Sequence, residues 1–95
     1  MPITIENKCG LILGVANERS IAWGISKVLS NSGAEIALSY QNENLLKRVG
    51  PLAESINAKI CMLADVQNEN SLDNLFKEIK KKWGKLDFLV HALAY

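Results

Sequence analysis

Gly14, Ser20 and Gly24 stand at a G-x5-S-x3-G spacing that joins a short apolar run to a segment of helical periodicity. The run is Leu11-Ile12-Leu13, and beyond the turn Ile21, Ile25, Val28 and Leu29 recur at i, i+4, i+7 and i+8. A strand that passes through a glycine turn into a helix gathers backbone N–H groups at one point. The first amides of a helix lack intrahelical acceptors and its dipole is positive there, so that point attracts anions. Gly14 can take a positive φ and leaves room for a pyrophosphate against the backbone. Ser20 is placed to offer a hydroxyl and to cap the helix, and Gly24 to let the helix sit close to the strands. The fingerprint G-x-G-x-x-G is absent, and glycine–serine turns before helices are common, so the rest of the chain must decide what this turn does.

Three further places carry candidate chemistry. Ser39-Tyr40-Gln41-Asn42 ends the second apolar run. An acidic residue there commonly pairs with the adenosine ribose of NAD, and an Arg with the extra phosphate of NADP. Gln41 can hydrogen-bond ribose or adenine edges, and no Lys or Arg follows until Lys47. NADH is therefore favoured over NADPH, although Arg19 could still reach a phosphate; a plain polar turn is the competing reading. Asp65, leaving the third run beside Val66, could accept from an adenine amine, or simply be a turn aspartate. His91 ends the fourth run, where a lone histidine on an apolar strand reads as a core residue rather than a base.

The elements that must position these residues follow in order. Strand one covers about Leu11 to Gly14, and Asn31-Ser32-Gly33 ends the first helix with Gly33 past its C-terminus. Strand two is Glu35 to Tyr40. A helix starts near Glu43 with Leu45, Val49, Leu52, Ala53 and Ile56 on one face, and Gly50-Pro51 is expected to kink or split it. Strand three is Lys59 to Leu63. Asn70 or Ser71 would cap a third helix whose face is Leu72, Leu75, Phe76, Ile79 and Trp83, with Lys80-Lys81-Lys82 offsetting the negative helix end. Gly84 stops it, and strand four runs from Leu86 to about Ala92.

The order is βαβαβαβ, an α/β chain. Right-handed crossovers make it the N-terminal half of a Rossmann-type doubly wound parallel sheet with strand order 3-2-1-4. The switch point falls between strands one and four, beside Gly14 and the segment from His91 to Tyr95.

Ninety-five residues allow one small domain, here read as a single partial dinucleotide-binding domain over 1–95 that is cut after strand four. Apolar residues make up 48% of the chain, and the formal charge of +1 offers no electrostatic case for nucleic acid or a membrane surface. No apolar run approaches the roughly 20 residues of a membrane span. Cys9 and Cys61 lie at or beside apolar runs without CxxC spacing, which reads as two small buried hydrophobes in a reducing cytosol.

Together these segments resemble the enoyl-acyl-carrier-protein reductases, a divergent branch of the short-chain dehydrogenase/reductases. The resemblance rests on Gly14-Val15-Ala16 through Ser20-Ile21-Ala22-Trp23-Gly24-Ile25, on Ser39-Tyr40-Gln41-Asn42, on Ala64-Asp65-Val66 and on Leu89-Val90-His91-Ala92, and covers essentially the whole chain. It implies that Gly14, Ser20 and Ile21 contact the pyrophosphate region, Gln41, Asp65 and Val66 the adenosine end, and Leu93 the nicotinamide-side ribose. The implied reaction is hydride delivery from NADH to the β-carbon of an enoyl thioester carried on acyl carrier protein. The implied parent is a cytoplasmic homotetramer. The family's catalytic Tyr and its Tyr-x6-Lys partner have no match up to Tyr95, so no catalytic residue is assigned and the chain alone is expected to be inactive. Two alternatives stand beside this: another short-chain reductase, or a non-catalytic nucleotide-binding module.

Overall fold

A computed structural model of the chain describes residues 5–92. Strands and helices alternate as β1 (Cys9–Leu13), α1 (Ile21–Asn31), β2 (Glu35–Tyr40), α2 (Leu46–Ser55), β3 (Ile60–Leu63), α3 (Glu69–Trp83) and β4 (Phe88–His91), with a 3-10 turn at Glu43–Leu45 before α2. Every strand pair is parallel and the order is β3-β2-β1-β4, the expected arrangement. β1 is central: Leu11 pairs with Ala37 on one side and with Leu89 on the other.

Alternation along the strands divides the core between two faces. Ile12, Ile36 and Leu38 pack with Trp23 of α1 and with Val49 and Ala53 of α2. Leu11, Leu13, Ala37 and Ile60 pack on the other face with Leu75 and Ile79 of α3. Helices therefore cover both faces, which is why β1 is apolar at every position and buried throughout. Gly33 and Gly84 end α1 and α3 with φ of 95° and 71°, and the Gly84 N–H closes α3 on the Lys80 carbonyl at 2.8 Å.

Several local expectations are corrected. α1 does not turn Ile21 and Val28 to the sheet: they are 79% and 64% exposed, while Ala22, Trp23 and Ser26 are buried. The small Ala22 and Ser26 share the buried face with Trp23, and Ser26 satisfies its hydroxyl by donating to the Ala22 carbonyl at 2.7 Å. Gly24 lies on the exposed side, where an added Cβ would meet nothing within 4 Å. It does not serve close packing on the strands.

Gly50-Pro51 does not divide α2, which runs through Pro51; the break falls earlier, where the 3-10 turn gives way to the α-helix. Asn68, not Asn70 or Ser71, caps α3 by accepting from the Ser71 N–H at 3.2 Å. Ser71 instead staples the turn from β3: its hydroxyl donates to the Leu63 carbonyl and accepts from the Asp65 N–H. Phe76, expected in the buried face of α3, is 42% exposed.

Candidate functional site

At Gly14 the chain leaves β1 with φ of 96°, a left-handed conformation that costs any other residue backbone strain. Two backbone bonds then fix the turn among three strand ends. The Val15 N–H donates to the Ser39 carbonyl of β2 at 3.0 Å, and the Ala92 N–H beyond β4 donates to the Leu13 carbonyl at 3.2 Å. The carboxyl ends of β1, β2 and β4 thus surround one cleft of about 880 Å³. That lies within the roughly 300–1,000 Å³ typical of small-molecule sites. Its place is the switch point of the strand order, where open α/β sheets bind ligands.

Gly14, Ser20, Ile21 and Gln41 all line this cleft. Ile21, so exposed on α1, presents its apolar side chain to whatever fills the space. Arg19 is the one Lys or Arg among the lining residues, and no carboxylate is among them, so the field favours an anion. The Ser20 carbonyl accepts from the amides of Trp23 and Gly24. The amides of Ile21 and Ala22, at the start of α1, have no intrahelical acceptor and remain for a ligand or water.

Ser20 occupies the N-cap position with extended φ and ψ, yet it does not cap the helix. Its hydroxyl donates to the Asn17 carbonyl at 2.7 Å, and the same carbonyl accepts from the Ser20 N–H at 3.1 Å. Asn17 also accepts from the Arg19 N–H through Oδ1 at 2.8 Å. The expected cap is thereby corrected: the Ser20 hydroxyl donates within the loop rather than accepting from an α1 amide.

Asp65 and Val66 are not among the residues that line the cleft. The Asp65 carboxylate accepts from the Gln67 N–H at 2.9 Å and its carbonyl from the Asn68 N–H, which makes it the pivot of the turn into α3. Leu93 lies outside the described residues. His91 is exposed and lines the cleft, against the expectation of a core histidine. Ile25, Asn42, Leu45 and Val90 also line it and were not assigned to a site from sequence. Their signal was topological: Asn42, Leu45 and Val90 stand at or beside element ends that converge there, and Ile25 lies one turn into α1.

Cys9 is buried and Cys61 half-buried. Burial pushes both thiols up from their ordinary value, and the Glu35 carboxylate adds to the effect at Cys9. Neither is poised as a thiolate. Among the described residues no three His, Cys, Asp or Glu side chains form a group that could hold a metal ion, and no helix is long and apolar enough to cross a membrane.

Comparison with known proteins agrees with this geometry. Residues 14–95 match the model of the family described as enoyl-(acyl carrier protein) reductase. The chain is 50% identical over 91 residues to enoyl-[acyl-carrier-protein] reductase [NADH] 1 of Rhizobium meliloti, covering 96% of this chain and 34% of that protein. It superposes with a TM-score of 0.84 and 49% identity on the enoyl-(acyl-carrier-protein) reductase of Anaplasma phagocytophilum crystallised in complex with NAD, over 90% of this chain and 32% of the other. The FabI structure of Candidatus Liberibacter asiaticus gives a TM-score of 0.87 at 48% identity, over 95% and 35% of the two chains. The chain thus spans about a third of the length of the curated relatives it matches. With the family model matched from the glycine turn at Gly14 onward, the chain belongs to the enoyl-(acyl carrier protein) reductase family.

Proposed function

We propose that this chain is the dinucleotide-binding part of an NADH-dependent enoyl-acyl-carrier-protein reductase of fatty-acid biosynthesis. The observation that carries the reading is the convergence of Gly14, Ser20, Ile21 and Gln41 on one cleft at the switch point. The amides of Ile21 and Ala22, which have no acceptor within α1, suit a pyrophosphate together with the Arg19 side chain. Gln41 at the tip of β2 suits the adenosine ribose or base. Asp65 and Val66 belong to the same adenosine end in this reading, and Leu93 to the nicotinamide-side ribose.

When bound, NADH supplies the hydride that reduces the trans-2 double bond of an enoyl thioester on acyl carrier protein. This chain's residues hold the dinucleotide, and among the described residues none is assigned to the enolate oxygen, which such a reaction must stabilise. Tyr40, the tyrosine among the described residues, is buried at the end of β2, is absent from the cleft lining, and has its hydroxyl pushed up by burial. The whole protein is read as cytoplasmic and homotetrameric, and residues 1–95 as one partial domain of it.

The test pairs NADH and NADPH titrations, followed by nicotinamide fluorescence, with a turnover assay on a crotonyl thioester. The expected result is saturable NADH binding, weaker NADPH binding and no turnover. Absence of NADH binding would overturn the reading, and turnover by the 95-residue chain would overturn its assignment to binding alone.

A further inference from the structure

The geometry points to Asn17 as a positioning residue of the cleft: it does not line the cavity but locks the two neighbours that do. The inference rests on the dinucleotide reading above and concerns how the loop is held in shape. Residues 14–20 form no regular secondary structure, so beyond the Val15 N–H bond to Ser39 their conformation depends on the few bonds made inside the loop. Three of these converge on Asn17. Its Oδ1 accepts from the Arg19 N–H at 2.8 Å, and its carbonyl accepts from both the N–H and the hydroxyl of Ser20, at 3.1 and 2.7 Å. Arg19 and Ser20 line the cleft; Asn17 is absent from its wall.

A short polar side chain that accepts from the amide two residues on closes a ring that mimics a backbone turn, and Asn forms it readily. Closing that ring fixes the peptide before Arg19 and so aims Ser20 at the head of α1. The Ile21 and Ala22 amides are then held ready before an anion arrives, and the ordering cost of binding is already met. An alanine at 17 keeps the backbone carbonyl but loses the Oδ1 contact. The loop must then be ordered by the ligand, and only a ligand that contacts this end of the cleft feels the loss.

The experiment titrates NADH, ADP and adenosine into the 95-residue chain and its Asn17→Ala and Asn17→Ser variants, with ¹⁵N chemical shifts as readout and thermal melts alongside. Asn17→Ala is expected to bind NADH and ADP about five- to tenfold more weakly, the loss of about one hydrogen bond. Adenosine, which has no phosphate, is expected to bind with unchanged affinity, and the melting temperature to stay put. Asn17→Ser, whose hydroxyl can still accept from the amide two residues on, is expected to recover most of the affinity. Equal NADH binding by Asn17→Ala and the unsubstituted chain overturns the inference. A parallel fall for adenosine and NADH with a lower melting temperature overturns it as well, because that pattern is a folding defect. If the unsubstituted chain binds neither NADH nor ADP, the dinucleotide reading itself fails, an outcome distinct from these.

Discussion

Gly10 of β1 and Phe88 of β4 are register partners, and the Phe88 ring fills the space that a side chain at position 10 would need. A Cβ built on Gly10 falls into the ring itself. The glycine thus makes room for a neighbour on the adjacent strand, and the pair helps to hold β4 against the central strand on which the cleft depends. Gly10→Ala is expected to destabilise the chain by about 1–3 kcal/mol, the usual cost of overpacking. Urea denaturation measures it, and Phe88→Leu in the same background should return part of the loss. A neutral Gly10→Ala would mean that the ring moves aside freely.

The face of α1 seen in the structure differs from the one its apolar spacing suggests, and two substitutions separate them. Trp23 is 4% exposed and packs in the core between α1 and the sheet. Trp23→Ala is expected to cost about 3–5 kcal/mol. Val28→Lys, at a position of equal apolar appeal in sequence but open to solvent, should change stability by no more than about 0.5 kcal/mol. Comparable losses at both sites would restore the face read from periodicity.

Asp87 joins β1 and β4 at the end of the sheet away from the cleft. Its Oδ2 accepts from the Cys9 N–H at 2.7 Å, and its own N–H donates to the Cys9 carbonyl at 2.8 Å. The Cys9 N–H holds the carboxyl below its ordinary value, burial opposes this, and Lys85, with its ammonium at 3.4 Å, adds to the lowering. A depressed folded value means that the native state binds fewer protons. Its contribution is therefore present above the ordinary carboxylate value of about 4 and is lost as pH falls through the folded one. The urea midpoints of the unsubstituted chain and of Asp87→Asn should differ most above about pH 5 and converge in acid. A gap unchanged from pH 7 to pH 3 would contradict the assignment.

The cysteines give a chemical check on burial. With both thiols raised above their ordinary value, alkylation by iodoacetamide at neutral pH should be slower for the folded chain than for the chain in urea. Cys9, the more buried, should lag Cys61. Mass spectrometry of quenched samples follows each site, and fast labelling of Cys9 in the folded chain would show that β1 opens readily.

The strand order, both helix-covered faces and the place of the cleft were legible because each rests on local or topological rules. Continuous apolar runs joined by helical stretches leave few parallel arrangements, and the right-handed crossover selects among them. The glycine turn brought Gly14, Ser20 and Ile21 to the cleft wall for the same reason, and Gln41 followed from its place at the tip of β2. Less visible were details set by neighbours distant in sequence. Apolar spacing pointed α1 toward Ile21 and Val28 because Ala22 and Ser26 weigh little on any hydropathy scale, although close contact with the strands selects small side chains. His91 read as core because nothing local shows that β4 ends in the open mouth of a cleft.

By itself, then, the sequence determined the βαβαβαβ order, the parallel 3-2-1-4 sheet and a glycine turn at Gly14, since spacing and periodicity are properties of the chain alone. The tertiary structure decided which rotation α1 takes, what fills the space beside Gly10, and where the Ser20 hydroxyl donates. Those outcomes depend on the Phe88 ring, the strands beneath α1 and the Asn17 carbonyl, whose positions follow from packing and hydrogen bonding in three dimensions rather than from residue type.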